Sequence, residues 1–293
     1  MFQLSSVTTE AVIRDGAFAR TDFAFSTEPG TLCCAATKKY LKLANEKPSM
    51  AAIVTTRELA DHARPDLGVV VSELPLKAFY EIHNRLVLDH GLRPEFEPRQ
   101  AASARIHPSA QVTERCIIGE NVVISPGAIV CDDTILEDDV FIGPGALVGV
   151  EGHFYKQFGN DRVKVEHGGG THLARGAQVL AGAIVQKTIF NDSTMIGEEV
   201  VLGPGTLVAH GVDIGARTIL AGGAQVAGFT TIGEDVWIGP SAVISNFIQI
   251  GDGASIELGA VVGRSVPAGQ RQSGAFATEH KLNLRAHAKL WRL

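Results

Sequence analysis

Aliphatic residues recur at every sixth position across residues 196–262 of this chain. The series is Ile196, Leu202, Val208, Ile214, Leu220, Val226, Ile232, Ile238, Ile244, Ile250, Ile256 and Val262. A small or β-branched residue stands four places after each of them, from Val200 to Val266. A period of six matches neither the turn of an α-helix nor the alternation of a half-buried strand. It predicts a hexapeptide parallel β-helix, in which three short strands and three tight turns form each triangular coil.

Glycine often follows the inward-pointing aliphatic residue directly, as at Gly197, Gly203 and Gly215. Each aliphatic side chain should stack on its equivalent in the next coil, so the chain must turn a corner soon afterwards. We expect these glycines to occupy the corners, where positive φ would strain a larger residue.

The repeat covers residues 105–270 and contains one interruption. It begins at Ile106, is lost over residues 149–172 and resumes near Leu173, with a shift of register near Phe190. The interruption predicts a loop or hairpin that leaves the β-helix. Together the repeats predict about seven or eight coils.

Residues 1–100 lack the six-residue period and predict a small α/β domain. The predicted elements are strand 30–36, helix 38–45, strand 50–55, helix 57–63, apolar run 67–72 and helix 76–90. Such alternation indicates a mixed sheet covered by helices. Residues 93–104 have the proline content and mixed charge of a linker. Residues 275–293 carry leucine and alanine at helical spacing, which predicts a short C-terminal helix over the open end of the β-helix.

Composition excludes some classes of function. The formal net charge is -6, and no basic surface is evident that would bind nucleic acid. Residues 1–30 contain no sustained apolar run, so neither a signal peptide nor a membrane span is expected, and the protein should be cytoplasmic. The four cysteines show no metal-type spacing and are expected to be reduced thiols. Cys33 and Cys34 should lie on a strand, and Cys116 occupies a small core position of the repeat.

One corner of the β-helix gathers polar residues. Since a coil has three hexapeptides, residues eighteen apart should stack about 4.8 Å apart along the axis. The column through one turn is Asp192, His210, Gly228, Asn246 and Arg264. His210 should point outward, with its tautomer fixed by Asp192, and act as a general base. The bare N–H of Gly228 could stabilise an oxyanion, a combination that suits acyl transfer, and Asn246 could contact substrate.

Several motifs carry a resemblance to a known enzyme family. They are LVAHGVDIGARTILAGGAQVAGFTTIG at 207–233, IHPSA at 106–110, GHFY at 152–155, TLCCAATKKYL at 31–41 and SGAFATEHK near the C-terminus. The chain resembles the UDP-3-O-acylglucosamine N-acyltransferases of lipid A biosynthesis over nearly its whole length. The hexapeptides are unspecific alone, whereas the N-terminal domain together with the AHG and LAGG stretch is fairly specific.

The resemblance implies a left-handed β-helix, a homotrimer and a site in the cleft between neighbouring subunits. It implies that His210 deprotonates the amine of a nucleotide-linked amino sugar as the amine attacks an acyl thioester, and that Gly228 donates to the oxyanion. The thioester would be carried by acyl carrier protein or coenzyme A as a co-substrate, with no bound cofactor and no metal. The N-terminal domain would be uridine-binding, with Tyr40 stacking on the base. From the sequence, Tyr40 could equally be a core tyrosine of the small domain.

This chain departs from the family pattern at three positions. The base-stacking phenylalanine corresponds to Cys34, a base-recognising asparagine corresponds to Thr37, and a substrate-binding histidine corresponds to Phe247. Losing one stacking ring could weaken nucleotide binding by about 1–3 kcal/mol. The C-terminal helices that engage acyl carrier protein are also shortened. We therefore expect acyl transfer to be retained and the acceptor contacts, including Phe247, to be altered.

The interrupting segment has a possible role of its own. Phe154, Tyr155 and Phe158 stand on a loop that projects from a rigid prism, so they could wall the cleft between subunits and cover an acyl chain or sugar. The alternative is a segment that only pads the subunit interface.

Three other functions remain open from the sequence. One is an acetyl-CoA or acyl-CoA dependent N- or O-acyltransferase of surface polysaccharide synthesis. Another is a metal-dependent enzyme of the carbonic anhydrase type, with His167 and His172 as two of the three zinc ligands required. The last is a β-helix that binds a nucleotide sugar without turning it over.

Overall fold

The protein is described here by a computed structural model that covers residues 1–274 together with Lys281, Arg285 and Lys289. These three residues are helical and exposed. The rest of the predicted C-terminal helix over 275–293 lies outside the described residues. Within the described part, no helix is long and apolar enough to cross a membrane.

The N-terminal part is a five-stranded mixed sheet with helices, as predicted. In spatial order its strands are Ala11–Arg14, Gly68–Val71, Met50–Thr55, Thr31–Cys34 and Arg20–Thr21, of which only the first is antiparallel to its neighbour. A separate two-stranded sheet pairs Phe2–Gln3 with Ala17–Phe18. The helices are Leu4–Val7, Lys38–Glu46, Arg57–Ala60 and Pro75–His90. Cys33 and Cys34 lie on a strand, as expected.

Three parallel sheets form the faces of the β-helix. The first sheet contains Arg99–Gln100, Cys116–Ile118, Thr134–Leu136, Gly170–Leu173, Ser193–Ile196, Asp213–Ile214, Thr231–Ile232 and Gln249–Ile250. The second contains Arg105–Ile106, Val123–Ile124, Phe141–Ile142, Gln178–Val179, Val201–Leu202, Ile219–Leu220, Trp237–Ile238, Ser255–Ile256 and Arg271–Gln272. The third contains Gln111–Val112, Ile129–Val130, Leu147–Val150, Ile184–Gln186, Leu207–Val208, Gln225–Val226, Val243–Ile244 and Val261–Val262.

The residues that recur every six positions form the core of the β-helix. All twelve aliphatic residues of the series 196–262 are buried, and all join one hydrophobic cluster that runs along the axis. Their small partners are buried too, except Ile248, which is partly exposed. Cys116 occupies the expected core position. Burying each valine, leucine or isoleucine is worth about 1.5–3 kcal/mol, so the repeated stacking explains the fold. The predicted left-handed parallel β-helix is confirmed.

The reason expected for the glycines after the aliphatic residues was wrong. Gly197, Gly203 and Gly215 do not have positive φ. Instead they lie against the next coil, and a Cβ on Gly197 would come 2.7 Å from the carbonyl oxygen of Ile214. Close approach of one coil to the next therefore excludes a side chain there. Positive φ occurs later in the turn, at Phe229 (57°) for example.

The interruption after Leu147–Val150 is a β-hairpin followed by a tight return. Strands Tyr155–Phe158 and Asp161–Lys164 pair antiparallel, and the chain rejoins the first sheet at Gly170–Leu173. The glycines before this return are buried, and a Cβ on Gly169 would overlap the carbonyl oxygen of Phe190. The loop or hairpin predicted over 149–172 is confirmed.

The N-terminal part packs against the β-helix and the hairpin. Val165, Ile189 and Phe190 belong to the same buried cluster as residues of the N-terminal part. His83 is fully buried and lies 2.6 Å from the Thr21 hydroxyl and 2.9 Å from the Glu166 carbonyl oxygen. This packing holds the hairpin beside the corner that carries His210.

Candidate active site

His210 lies on the turn between a strand of the third sheet and a strand of the first, and it lines an open cleft of about 310 Å³. Its ring is half-buried and lies over Gly228 of the next coil, since a Cβ on Gly228 would come 2.5 Å from His210 Nε2. Gln186, Phe229 and Asn246 line the same cleft. The predicted stacking of His210, Gly228 and Asn246 on one corner is therefore confirmed.

The Gly228 N–H is an unused donor beside the His210 ring. The neighbouring Phe229 N–H donates to the His210 carbonyl oxygen, and the Gly228 carbonyl oxygen accepts from the Phe247 N–H. Within residues 1–274 the Gly228 N–H itself donates to no carbonyl oxygen or side chain. Gly228 is the first of the two central residues of its turn, and the N–H at that position is not used by the turn itself. A ligand atom in the cleft could accept from it.

His210 is held in its neutral form. Burial, followed by the charges of His153 and Lys156, lowers the pKa of His210 to about 4. Near neutral pH the imidazole is therefore unprotonated, with Nε2 beside Gly228 in the cleft. An unprotonated imidazole can accept a proton from a nucleophile, as general base catalysis requires.

The predicted hydrogen bond between Asp192 and His210 is wrong. His210 Nδ1 is buried and has no hydrogen-bond partner in the described part of the chain. The corner before strand Ser193–Ile196 is longer than a hexapeptide and sends Phe190 into the cluster beneath the N-terminal part, so Asp192 does not stack as a regular corner residue. Desolvation and then the neighbouring Asp22 carboxylate raise the pKa of Asp192.

The ring of His167, rather than the carboxylate of Asp192, packs against the ring of His210. His167 is 2% exposed and its ring meets the His210 ring edge-on, with the ring centroids 5.7 Å apart. His167 Nε2 accepts a hydrogen bond from the Gly152 N–H at 3.3 Å, so the proton of the neutral ring is on Nδ1. Burial lowers the pKa of His167 to about 3. The sequence offered His167 only as a possible zinc ligand, because its position depends on the hairpin rather than on the repeat.

Aromatic rings form one wall of the cleft. Phe154 and Phe229 each lie 5.3 Å from the His210 ring centroid. Phe247 stacks on Phe229 at 5.2 Å, with an angle of 12° between the rings, and Phe23 meets Phe229 edge-on at 4.9 Å. Phe154 and Phe247 both line the His210 cleft. Phe23 and Phe229 were missed, since an isolated aromatic in a turn or coil gives no periodic signal.

Phe247 also lines a second cavity, of about 590 Å³, between the N-terminal part and the β-helix. Tyr40 forms part of its wall and is 41% exposed, while Cys34 and Thr37 line the same cavity. The three positions assigned to base recognition therefore share one mostly apolar pocket. Tyr155 is on the outer face of the hairpin, 51% exposed, and is not among the residues that line either cavity.

The two histidines considered as zinc ligands have separate surroundings. His172 Nε2 lies 2.7 Å from Glu137 Oε1, whereas His167 packs against His210. In the part of the chain that the structure describes, no three His, Cys, Asp or Glu side chains are grouped as metal ligands would be.

Two segments of the chain, residues 115–149 and 229–264, match the family described as bacterial transferase hexapeptide (six repeats). A search of curated protein sequences gives no significant match.

Among solved structures, a UDP-N-acetylglucosamine acyltransferase from Campylobacter jejuni is 21% identical with a TM-score of 0.47, over 64% of this chain and 77% of that one. The Arabidopsis UDP-N-acetylglucosamine acyltransferase is 22% identical with a TM-score of 0.47, over the same shares. The acetyltransferase domain of PglB from Neisseria gonorrhoeae is 18% identical with a TM-score of 0.25, over 83% of this chain and 95% of that domain. These identities and TM-scores are too low to support an argument about activity. The chain thus contains hexapeptide repeats of the bacterial transferase type, arranged as a left-handed parallel β-helix.

Proposed function

We propose that the protein transfers an acyl group from a thioester to the amine of a nucleotide-linked amino sugar. The observation that carries the proposal is the pairing of a neutral imidazole with an unused backbone donor: His210 Nε2 lies over Gly228, whose N–H has no acceptor in residues 1–274. The match of two segments to hexapeptide repeats of bacterial transferases supports a transferase.

The chemistry follows from these two groups. As the amine nitrogen attacks the thioester carbonyl carbon, His210 Nε2 takes a proton from the nitrogen and a C–N bond forms. The negative charge that develops on the carbonyl oxygen accepts a hydrogen bond from the Gly228 N–H. The C–S bond then breaks, and the protonated His210 returns the proton to the thiolate. A hydroxyl acceptor would follow the same steps and give an ester.

The second cavity is the place proposed for the nucleotide end of the acceptor. It shares Phe247 with the His210 cleft, so one extended substrate could reach both cavities. Tyr40 presents an exposed ring on which a base could stack. The donor is proposed to be acyl carrier protein or acyl-CoA, and the active form is proposed to be a homotrimer.

The experiment is a matrix of UDP- and dTDP-linked amino sugars against acyl-CoA and acyl carrier protein donors, with products identified by mass spectrometry. Turnover with short acyl-CoA alone would favour the polysaccharide type of acyltransferase over the lipid A type. Fragmentation of the product distinguishes an amide from an ester.

His210→Ala should lower kcat by about 10²–10⁴, the usual contribution of a general base, and leave the thermal midpoint nearly unchanged. The matched control is His107→Ala, which removes an exposed histidine elsewhere on the β-helix. If His210→Ala keeps its activity, the general base is a different residue. If no pair of donor and acceptor gives a product, binding of a nucleotide sugar without turnover becomes the favoured function.

A further inference from the structure

Lys156 lies on the inner face of the hairpin, where a charged residue is unexpected. Exposed and half-buried residues alternate along Tyr155–Phe158, which puts Lys156 on the same side as Phe154 and Phe158. Both phenylalanines pack against the cluster that joins the hairpin to the N-terminal part, as does Val163, which pairs with Lys156 across the hairpin. Lysine normally keeps its charge on the exposed face. The placement of Lys156 therefore calls for an explanation.

No carboxylate of residues 1–274 lies within the ion-pair distance of 4.0 Å from Lys156 Nζ. Lys164, the other lysine of the hairpin, is paired with both Glu151 and Glu166. Lys156 Nζ instead lies 4.1 Å from the centroid of the Phe154 ring. A cation over a ring recovers only part of the free energy of hydration that the lysine loses.

The Lys156 ammonium and the proposed catalytic base lie against the same aromatic ring. Phe154 contacts both groups, with Lys156 Nζ 4.1 Å and the His210 ring 5.3 Å from its centroid. The charge of Lys156 is close enough to lower the pKa of His210, and partial burial lowers the pKa of Lys156 itself. His153 is exposed and lines the same cleft. The Lys156 ammonium is therefore a positive charge near the cleft, although Lys156 is not among the residues that line it.

We propose that Lys156 binds a phosphate group of a substrate beside the His210 cleft, next to Phe154 in its wall. This inference rests on the proposed function, in which both substrates carry phosphate. The acceptor has the diphosphate of its nucleotide, and the donor has the phosphate of the pantetheine arm. A phosphate would give the half-buried ammonium the ionic partner that residues 1–274 do not supply, and lysine is a common phosphate ligand in proteins.

A purely structural lysine would behave differently on substitution. If the ammonium stabilised the hairpin through Phe154, Lys156→Gln would lower the thermal midpoint. If Lys156 is kept for a ligand, the ligand-free protein carries an uncompensated half-buried charge. Lys156→Gln should then leave the midpoint unchanged or raise it, because residues that serve binding are commonly retained at some cost in stability.

The test measures binding without turnover. UDP, dTDP and coenzyme A are titrated separately, by calorimetry, into the wild-type protein, Lys156→Gln, Lys156→Arg and the control Lys42→Gln. Lys42 is an exposed lysine on the N-terminal part, 76% exposed and far along the chain from the hairpin. We expect Lys156→Gln to weaken the binding of either the nucleotides or coenzyme A by about 10-fold to 100-fold, as the loss of a charge-assisted hydrogen bond would. Lys156→Arg keeps the charge and should bind more tightly than Lys156→Gln, and Lys42→Gln should match wild type.

The probe whose affinity falls in Lys156→Gln identifies the substrate that supplies the phosphate: the nucleotide sugar for UDP or dTDP, and the acyl donor for coenzyme A. Wild-type binding of all three probes by Lys156→Gln would overturn the proposal, as would a wild-type protein that binds none of them. A change in oligomer size in Lys156→Gln, seen by light scattering, would overturn it as well, since the lysine would then pair with a neighbouring subunit. Lys156-dependent binding in a protein with no acyl transfer would leave the phosphate site in place and remove the proposed reaction. Acyl transfer that requires His210 but not Lys156 would support the proposed reaction and remove the phosphate site.

Discussion

The missing side chain at Gly228 makes room for the His210 ring. His210 Nε2 occupies the space that a Cβ would take, so the two residues are matched across consecutive coils. Gly228 lines the cleft, and its N–H has no acceptor within residues 1–274. The base and the backbone donor are thus held together by the rise of the β-helix rather than by a hydrogen bond between them.

Gly228→Ala should therefore disable catalysis through His210. The added Cβ would lie 2.5 Å from His210 Nε2 and 3.0 Å from the His210 carbonyl oxygen, so the ring must move away from the backbone donor. We expect kcat to fall by about 10²-fold or more, since a misplacement of about 1 Å can cost that much. The measurement is kcat with the substrate pair found in the matrix.

Gly222→Ala is the matched control for this substitution. Gly222 occupies the equivalent turn position on another corner, where the nearest atom to an added Cβ is the Pro204 carbonyl oxygen at 3.4 Å. This variant should keep its activity and its thermal midpoint. A wild-type kcat in Gly228→Ala would mean that His210 is not the general base.

The sequence predicts the residues of the site only where the repeat fixes their position. His210, Gly228 and Asn246 stack as expected because the coils around them have regular length. The prediction for Asp192 is wrong because the corner that carries it contains extra residues. His167 and Lys156 lie on the hairpin, whose path depends on packing against the N-terminal part, and that packing leaves no period in the sequence.

At the scale of elements, the helix Pro75–His90 is joined to the hairpin region through one buried histidine. The Glu166 carbonyl oxygen accepts a hydrogen bond from His83 Nε2, so the neutral ring accepts from the Thr21 hydroxyl at Nδ1. Burial lowers the pKa of His83 to about 4. The buried ring therefore links three separate segments, and its burial opposes the charged form.

This arrangement predicts a loss of stability on acidification. Above pH 6.5 His83 is neutral in both the folded and the unfolded chain, and its full contribution is present. Below 6.5 the unfolded chain takes up a proton that the folded protein refuses, so the free energy of unfolding falls by up to about 1.4 kcal/mol per pH unit until the pH reaches about 4.

His83→Gln should remove that part of the pH dependence, because glutamine can donate and accept in a similar way without titrating. Between pH 6.5 and 5 the variant should lose about 1.6 kcal/mol less than wild type, measured by urea unfolding. His107→Gln, an exposed substitution, should follow the wild-type curve. Identical slopes for all three proteins would mean that His83 is protonated without unfolding the chain.

At the scale of the whole molecule, the outer face of the third sheet carries a stripe of partly exposed aliphatic residues. They are Ile129, Leu147, Ile184, Leu207, Val243 and Val261, with the exposed Gln225 between Leu207 and Val243. Leu207 and Val243 also line the His210 cleft, which is open on this side. Apolar surface of this kind marks subunit contacts, so the stripe is where the proposed trimer should form.

A charge within this stripe should therefore break the trimer and the activity together. Ile129 lies several coils from His210, so Ile129→Glu leaves the cleft of its own chain intact while it places a carboxylate in the proposed interface. We expect light scattering to show monomers and acyl transfer to fall at least about tenfold, because burying an unpaired carboxylate is costly. Ile219→Glu, on the exposed face of the second sheet at 39% exposure, should remain trimeric and active. If Ile219→Glu dissociates and Ile129→Glu does not, the interface lies on the second sheet; if Ile129→Glu is a fully active monomer, the cleft is complete within one chain.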